Sequence, residues 1–309
     1  MRDVSHKINT LRTARAQATL RAAKSTIQAI KDNKIPKGDP LPVAKVAAIQ
    51  AAKNTSQIIP YCHPLPVDFT GVDFQLNDDS IVVTVEVKAI YKTGVEMEAL
   101  TAASVAVLTL YDMLKMLDEE MEILGVKLLE KRGGKSDHKD RFSKQLRAAV
   151  LVMSDTISAG KKTDESGKII KERLEREGLE VVDYKIVPDE AGAITDAVKN
   201  YADKLQIDLL VTTGGTGLSP RDCTTDVLKS LIEREATGIS EAARNYGQQR
   251  TPYAMLSRSI SGTRGKTLII AMPGSRGGVS ESLDAIFPAV LHAFNMMRAG
   301  GHAEEKCKS

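Results

Sequence analysis

The sequence predicts two domains of different classes, an α+β domain followed by an α/β domain with a doubly wound parallel sheet. Its 309 residues exceed the usual size of a single domain. A polar, glycine-containing tract at residues 130–144 lacks apolar periodicity and is typical of a linker. Strand and helix patterns are mixed before this tract and alternate strictly after it. We therefore place the first domain at residues 1–142 and the second at residues 143–309.

The first domain contains helical and strand-like patterns that do not alternate. Residues 41–59 are rich in alanine, with apolar side chains at helical spacing, and residues 96–120 indicate one long helix. Between them, residues 81–90 alternate between apolar and polar side chains, with Val83, Val85 and Val87 on one face. Such a mixture is typical of an α+β layer.

The second domain alternates strands and helices in the order of a parallel, doubly wound sheet. Its predicted strands are residues 148–153, 180–187, 207–213 and 267–271. Its predicted helices are residues 165–177, 191–204, those across 222–245, and 278–298. Ligands of such sheets bind at the carboxyl ends of the strands, so we expect functional residues in the loops there.

The composition argues against several classes of protein. Charged residues make up 27% and hydrophobic residues 42%, which is ordinary for a globular chain and argues against disorder. A net charge of +3 and the absence of Trp argue against a nucleic-acid partner. We expect no membrane partner, because no obvious apolar run of 18 residues or signal-peptide core is present. Three isolated cysteines without a C-x-x-C pair favour a reducing cytoplasm.

A loop of the first domain concentrates functional side chains. Tyr61-Cys62-His63-Pro64 follows a helix, and Pro64 and Pro66 fix the loop that displays His63. A purely structural histidine is the alternative. Cys62 and His63 are metal-ligating residue types, but a zinc site needs three or four ligands. We therefore expect no metal or cofactor in this domain.

One face of the long helix carries ionisable residues. Asp112 and Lys115 are i,i+3 neighbours, and Glu98 lies nearly four turns before Asp112 on almost the same stripe. Glu96 and Glu98 suit the positive end of the helix dipole, and that interaction alone accounts for both. Because the rest of the helix is apolar, Asp112 and Lys115 are expected to form a desolvated acid–base pair in a partly buried cleft. A solvated ion pair is the alternative.

The segment Lys131-Arg132-Gly133-Gly134-Lys135-Ser136 is a cationic, glycine-containing loop. It is not a phosphate loop of the Walker A type, which would need glycine where Leu129 stands. A flexible cationic loop still suits a diphosphate or a triphosphate. A solvated tail is the alternative.

These segments occur in order, together with K-G-D at residues 37–39, A-A-K-N-T-S and L-Y-D-M-L-K. Over residues 1–140 the chain resembles the MoaC family, the cyclic pyranopterin monophosphate synthases of molybdenum cofactor biosynthesis. The resemblance implies that a cyclised dihydroguanosine triphosphate becomes cyclic pyranopterin monophosphate with loss of diphosphate. It also implies a ferredoxin-like fold assembled as a homo-hexamer, with sites shared between subunits. The implied catalytic residues are Lys37, His63, Asp112, Lys115 and Lys131. The implied substrate contacts are Arg12, Tyr61, Cys62, His63, Met97, Glu98 and Lys135.

Loops with Gly, Asp and Arg follow three predicted strands of the second domain. In the loop of residues 212–217, T-T-G-G-T-G, three glycines let the backbone approach a ligand and cradle an anion with its N–H groups. Asp189 ends one strand, Asp222 follows the glycine loop, and M-P-G-S-R-G-G follows the last strand. This composition predicts a site for a nucleotide and Mg²⁺, with Asp189 and Asp222 as metal ligands. For Asp222, a helix N-cap is the alternative.

These loops resemble those of a second family. V-M-S-D, I-V-P-D-E, T-T-G-G-T-G-L-S-P-R-D, A-M-L-S-R and A-M-P-G-S are similar to motifs of the MoaB/MogA molybdopterin-binding proteins, across residues 147–300. The resemblance implies adenylylation of molybdopterin by MgATP, and a trimeric assembly. A non-catalytic pterin-binding or oligomerisation module is the alternative. The implied functional acids are Asp189 and Asp222. The implied ligand loops contain Ser154, Asp155, Thr213, Gly214, Gly215, Thr216, Gly217, Gly274 and Ser275.

Overall fold

A computed structural model describes residues 1–298 of the chain, apart from the side chains of Lys135 and Ser136. The chain divides into two compact units, Met1–Asp137 and His138–Ser309. The division falls a few residues before residue 142, inside the polar tract that the sequence marks as a linker.

The first unit follows the order β-α-β-β-α-β, with three helices in its first connection. Its strands and helices are β1 (Thr10–Arg21), α1 (Lys24–Lys31), α2 (Pro40–Lys53), α3 (Thr55–Ile58), β2 (Phe69–Leu76), β3 (Ser80–Tyr91), α4 (Glu96–Leu114) and β4 (Glu122–Arg132). Neighbouring strands pair antiparallel in the order β2-β3-β1-β4. This is the ferredoxin-like arrangement, so the predicted fold of the first domain is confirmed.

Helix α4 is the core helix of the first unit, and its small side chains let it pack closely on α2 and the sheet. It ends at Leu114, not near residue 120 as predicted. The reason is that Asp118 turns toward the start of α1. Its carboxylate accepts hydrogen bonds from the N–H of Ala23 at 2.6 Å and from the Thr26 hydroxyl at 3.1 Å. The fully buried alanines of α4 are Ala99, Ala102, Ala103 and Ala106.

By length and composition alone, α4 is also apolar enough to cross a membrane. The expectation that no segment has this property therefore missed α4. Inside the fold, 56% of its most apolar window is buried. That burial is what the core helix of a globular domain shows.

The second unit is built on one six-stranded sheet. Its strands and helices are β5 (Arg147–Met153), α5 (Asp155–Ser158), α6 (Ser166–Arg176), β6 (Glu180–Val187), α7 (Ala191–Lys199), β7 (Leu209–Thr213), α8 (Thr224–Leu231), β8 (Arg234–Glu235), α9 (Thr237–Gln248), β9 (Ser261–Arg264), β10 (Thr267–Met272), α10 (Arg276–Ile286) and α11 (Ala293–Met297). The strand order is β6-β5-β7-β10-β9-β8, with the first four strands parallel. The predicted parallel sheet of the second domain is confirmed.

Two features of the second unit differ from the prediction. Strands β8 and β9 form an antiparallel edge that the sequence pattern did not predict. The predicted helix 278–298 is interrupted after Ile286, because Pro288 has no N–H to donate and disfavours helical backbone before it.

The sheet of the second unit separates two hydrophobic cores. Alternate residues of β7 face opposite sides, so Leu209 and Val211 pack with α6 and α10, whereas Leu210 packs with α7 and α8. Strand β5 leads to β6 at one edge, and the chain then returns to β7 on the other side of β5. The order reverses between β5 and β7, which is where doubly wound sheets bind their ligands.

Candidate functional site

Asp112, in the last turn of α4, lies between two lysines. Lys115 Nζ is 2.7 Å from Asp112 Oδ1, and Lys37 Nζ is 3.2 Å from Oδ2. The predicted desolvated pair is wrong for this chain, because the side chain of Asp112 is 58% exposed and the alternative of a solvated ion pair is observed. Hydrogen bonds from Lys115 and Lys37 lower the pKa of Asp112, and the bond to Asp112 raises the pKa of Lys115. At neutral pH the pair is therefore a carboxylate beside an ammonium.

Glu98, in the first turn of α4, is 2% exposed. Its Oε1 accepts a hydrogen bond from the Cys62 thiol at 3.3 Å, and its Oε2 has no partner among the described residues. Burial raises the pKa of Glu98. Burial and the neighbouring Glu98 raise the pKa of the Cys62 thiol to about 11. The helix dipole therefore does not account for Glu98, whose carboxyl group is held in a dry pocket.

A cavity of about 380 Å³ lies beside the start of α4 and collects positive charge. Lys131 reaches it and pairs with Glu96 at 3.3 Å. Arg12 is buried and donates to the backbone carbonyls of Tyr91 and Lys92, both at 3.2 Å, which fixes the orientation of its guanidinium group. The cationic residues of the lining are Lys7, Arg12, Lys131 and Arg132.

The structure also describes three other residues of the first unit that the sequence predicts to contact the substrate. Tyr61 is largely exposed, and His63 Nε2 is 2.8 Å from the carbonyl oxygen of Arg2. Met97 is partly exposed beside Glu98. The side chain of Lys135 lies outside the described residues. The roles that the sequence assigns to these residues stay predictions.

The functional residues of the first unit form two groups at opposite ends of α4. Glu98, with Cys62 and Lys131, lies at the start of the helix, and Asp112 lies at its end with Lys115. Fourteen residues of α-helix separate the backbones of Glu98 and Asp112 by about 21 Å. One small substrate cannot span this distance within one chain, so the shared helix face that the sequence predicts stays a prediction.

Three carboxylates meet at the strand ends of the second unit. The N–H of Asp189 donates to Asp155 at 3.1 Å, and Asp155 forms an ion pair with Arg221. Burial raises the pKa of Asp189, and the charges of Asp155 and Asp222 raise it further. Asp189 Oδ1 is buried without a partner among the described residues. The structure thus brings Asp155, Asp189 and Asp222 together.

Asp222 does not cap a helix. Helix α8 begins at Thr224 after Cys223, and no side chain caps it. Asp222 Oδ2 instead accepts a hydrogen bond from the N–H of Ser219 at 2.9 Å, within its own loop. The N-cap alternative is therefore wrong.

The glycine-rich loop after β7 connects these acids to a polar cavity of about 400 Å³. Gly214 has φ of +101°, and a Cβ at this position would lie 2.1 Å from the carbonyl oxygen of Met153. Only glycine therefore lets the ends of β5 and β7 come this close. The predicted loop residues that line the cavity are Ser154, Thr213, Gly214, Gly274 and Ser275.

The rest of this loop turns toward the acids. A Cβ on Gly215 would lie 2.9 Å from Asp189 Oδ1, and one on Gly217 would lie 2.7 Å from Asp222 Oδ2. Thr216 is buried, and its carbonyl accepts a hydrogen bond from the N–H of Arg258 at 2.9 Å. The loop therefore presents one half to the polar cavity and the other half to the carboxylates.

A second cavity, of about 320 Å³, lies on the other side of the loop after β10. It shares Ser275 with the polar cavity, and Ser275 also accepts the N–H of Gly278 at the start of α10. Its wall includes Tyr253, which precedes the A-M-L-S-R motif, and Ser257, which is the serine of that motif. Two cavities thus adjoin one serine.

Comparison with known proteins agrees with this arrangement along the whole chain. Residues 1–134 match the MoaC family, and residues 149–292 match the probable molybdopterin binding domain. The molybdenum cofactor biosynthesis bifunctional protein of Chlorobaculum tepidum is 42% identical over 303 residues, which cover 98% of this chain and 96% of that protein. The chain belongs to the bifunctional molybdenum cofactor biosynthesis proteins.

The two halves of this bifunctional protein also have separate relatives. The cyclic pyranopterin monophosphate synthase of Syntrophomonas wolfei is 51% identical over 140 residues, 45% of this chain and 89% of that protein. The molybdopterin biosynthesis enzyme MoaB of Thermus thermophilus is 39% identical, covers 50% of this chain and 98% of that chain, and gives a TM-score of 0.48. The family matches and the bifunctional relative show that a MoaC domain is fused to a probable molybdopterin binding domain, and that the protein acts in molybdenum cofactor biosynthesis.

Several residues of these sites escaped the sequence analysis. In the second domain, Lys162 adds positive charge to the polar cavity, and Ser166 donates a hydrogen bond to the Gly274 carbonyl at 2.9 Å. Arg276, the arginine of the predicted M-P-G-S-R-G-G loop, also lines this cavity and pairs with Glu165 at 3.3 Å. In the MoaC domain, Lys7 lines the cationic cavity. Nothing in the sequence distinguishes these cations from ordinary surface residues. The glycine motifs near them in the sequence are the signal that could have located these cations.

The donors of the second domain fit a magnesium ion. Among residues 1–298, no cluster of three or more His, Cys, Asp or Glu has the arrangement of an all-protein metal site. Magnesium does not need one, since it keeps several waters and takes one or two carboxylates. The unpartnered, buried oxygen of Asp189 beside Asp222 suits such an ion. These two residues would hold it.

Proposed function

We propose that the MoaC domain converts a cyclised dihydroguanosine triphosphate to cyclic pyranopterin monophosphate and releases diphosphate. The observation that carries this proposal is that the two ends of α4 lie beside different kinds of residue. One end offers a cationic cavity with Arg12 and Lys131, which suits a triphosphate. The other end offers Asp112 and Lys115, a base and an acid in contact.

The protonation states define what each residue contributes. Lys115 remains an ammonium, because Asp112 raises its pKa, and it can donate a proton to a leaving group. Asp112 remains a carboxylate and can accept one. Lys37 contacts the same carboxylate and holds it in place. Buried Glu98 retains an acceptor without a partner, which is available to N–H groups of the guanine-derived ring.

The proposal includes assembly of the MoaC domain with further copies of itself. The two residue groups lie about 21 Å apart on one chain, so a second copy must bring its Asp112 end to the Glu98 end of the first. A homo-hexamer with shared sites, which the MoaC resemblance implies, satisfies this requirement. A cytoplasmic location, where guanosine-derived triphosphates are made, belongs to the same proposal.

The test of the MoaC reaction is turnover of the cyclised triphosphate by Asp112→Asn and Lys115→Ala. We expect activity to fall on the order of 100- to 10,000-fold, because each change removes an acid–base group. The melting temperature should stay near that of the unchanged protein, since both side chains are exposed. Near-normal turnover by both variants would remove the pair from the reaction.

For the second domain we propose adenylylation of molybdopterin by ATP, with diphosphate released. The observation that carries it is the pair of cavities around Ser275, since transfer between two substrates needs two adjoining sites. Lys162, Arg276 and the glycine-loop N–H groups offer positive charge to phosphates. Magnesium held by Asp189 and Asp222 would offset charge on the transferred phosphoryl group. A trimeric assembly belongs to this proposal.

Asp222→Ala tests the second activity. We expect loss of Mg²⁺-dependent adenylylation while molybdopterin still binds, because the carboxylate does not line either cavity. Adenylylated product is measured with ATP and molybdopterin, and pterin binding by fluorescence. If the unchanged protein binds pterin but forms no product, the domain is a binding or oligomerisation module. If Asp222→Ala keeps full activity, Asp222 does not belong to the site.

A further inference from the structure

The cationic cavity beside the start of α4 also contains negative charge. Two acidic residues lie in its lining, Glu96 and Asp137, and Glu96 pairs with Lys131. Asp137 Oδ2 accepts a hydrogen bond from the backbone N–H of Gly133 at 2.7 Å. Burial lowers the pKa of Arg12, and the charges of Glu96 and Asp137 oppose that effect, so both carboxylates act on this guanidinium group. The carboxylate of Asp137 thus combines with a backbone donor and a nearby cation, which are the partners that a phosphoryl group would use.

The backbone of Gly133 is held in place by contacts that do not involve Asp137. Gly133 adopts φ of +95°, and a Cβ built on it would collide with the carbonyl oxygen of Leu11, so the position requires glycine. The carbonyl of Gly133 accepts a hydrogen bond from the Thr10 hydroxyl at 2.7 Å. Both contacts come from β1, a strand of the sheet. The N–H of Gly133 therefore remains a directed donor when the side chain of Asp137 turns away.

The side chain of Asp137 can leave this position without disturbing the core. It is exposed, so it can turn toward solvent and be hydrated there. A phosphoryl oxygen is an anionic acceptor like the carboxylate, and backbone N–H groups commonly bind phosphate. Two anions cannot share one N–H at low cost, because like charges at contact distance repel each other. A phosphate that binds in this cavity therefore competes with Asp137 for the N–H of Gly133.

We propose that Asp137 sets the phosphate affinity of the MoaC domain, because its carboxylate binds the N–H of Gly133 until a phosphoryl group of the substrate displaces it. The inference rests on the reaction proposed above for this domain and gives its phosphate site a built-in competitor. Displacement of the carboxylate weakens the binding of every phosphate ligand. The diphosphate product lacks the guanine-derived ring that also holds the substrate. The competition therefore favours release of diphosphate, after which Asp137 returns to the N–H of Gly133.

The test measures binding of inorganic triphosphate to the full chain by titration calorimetry, without divalent metal. Asp137→Asn keeps an oxygen that can accept the N–H of Gly133 and removes the charge. We expect it to bind inorganic triphosphate about threefold to tenfold more tightly, because one like charge leaves the site. Asp137→Ala removes the acceptor as well and should bind at least as tightly as Asp137→Asn. Inhibition of turnover by added diphosphate should become stronger in both variants.

Asp78→Asn is the matched control, because it removes one exposed acidic charge at the opposite end of β3 from the cavity. It should leave the affinity unchanged, and an equal gain in this variant would overturn the role of Asp137. Lys131→Ala gives the background, since the binding that it removes belongs to the cationic cavity. If Lys131→Ala loses binding but Asp137→Asn binds equally or more weakly than the unchanged protein, Asp137 only supports its loop and the inference fails. If Lys131→Ala binds as the unchanged protein does, the cavity is not the phosphate site, and the proposed reaction loses its support instead.

Discussion

Glu98 is a carboxyl group placed where water has almost no access. Its neighbour Cys62 offers one weak donor, and the second carboxyl oxygen receives none from the described residues. An ionised carboxylate in such surroundings is costly, and burial therefore raises the pKa of Glu98. In the proposed reaction, the N–H groups of the guanine-derived ring supply the donors that this carboxyl group lacks.

The raised pKa of Glu98 predicts how stability depends on pH. A folded-state pKa above the usual value of 4.5 means that the folded domain binds the proton more tightly than the unfolded chain. The stability that this contributes is present below the unfolded pKa and is lost as pH rises through the folded pKa. Glu98→Gln mimics the protonated form and does not titrate. We therefore expect its melting temperature, relative to the unchanged protein, to rise by a few degrees from pH 5 to pH 8.

Glu120→Gln is the control for this experiment, since Glu120 is exposed. Its melting temperature should follow that of the unchanged protein at every pH. A constant difference between Glu98→Gln and the unchanged protein across the range would contradict the raised pKa. The measurement is a set of thermal denaturation curves without substrate.

At this scale the sequence identified residue types better than their environments. The motifs pointed to Glu98, Asp112 and Lys115, but burial was assigned to the wrong ones. Helical spacing places Asp112 on nearly the same helix face as Glu98. It does not tell which part of that face is covered by other elements. Burial of these side chains depends on α2 and on the loop with Cys62, which come from distant parts of the chain.

At the scale of elements, the junction of β5 and β7 sets the geometry of the second site. The carbonyl of Met153 and the backbone of Gly214 approach so closely that a Cβ has no room. Gly274 packs against the same point, because a Cβ on it would lie 3.3 Å from the Cα of Gly214. The loops after three neighbouring strands are thus held together by glycine contacts, and the side chains around them inherit their positions.

Gly214→Ala is expected to destabilise the second unit. The positive φ and the 2.1 Å approach to the Met153 carbonyl both oppose a Cβ, and strain of this kind costs on the order of 1–3 kcal/mol or more. Gly192→Ala, inside α7 with nothing within 4 Å, is the matched control. It should be neutral or stabilising by up to about 1 kcal/mol. Denaturant unfolding of both variants tests this, and equal stability would show that the junction tolerates a side chain.

Long elements were predictable from their periodicity, and short or interrupted ones were not. The alternation of residues 81–90 and the strand predicted at 180–187 match β3 and β6 closely. Strand β3 buries every second side chain along most of its length, which gives its sequence a clear period of two. Strand β8 has two residues, too few to carry a period. The early end of α4 depends on Asp118 holding α1, a contact between distant segments that no local pattern reveals.

At the scale of the whole molecule, each unit has its own hydrophobic core and its own site. The core of the first unit lies between its sheet and the helices α2 and α4, and the second unit buries residues on both faces of its sheet. The two proposed activities therefore rest on separate folds. Within the first unit, however, the length of α4 separates the acid–base pair from the cationic cavity. In the proposed assembly, one chain therefore carries two halves of a shared site.

Complementation between inactive variants tests whether copies share this site. Asp112→Asn spoils one end of α4 and Lys131→Ala spoils the other, and both side chains are exposed enough for the folds to survive. When the two are co-expressed with different tags and purified through both, each mixed pair contains one site with an intact Asp112 and an intact Lys131. Because the proposed assembly is a hexamer, purification through both tags removes only the unmixed assemblies. We expect turnover of the cyclised triphosphate to return to about a quarter of normal, since about one shared site in four of a random mixture draws an intact Asp112 from one chain and an intact Lys131 from another. Each variant alone should remain inactive, because all its sites lack the same group. Absence of recovery in the mixed assemblies would mean that both groups serve a site within one chain. In that case α4 would have to bend, or the two groups would have to reach one site by another route.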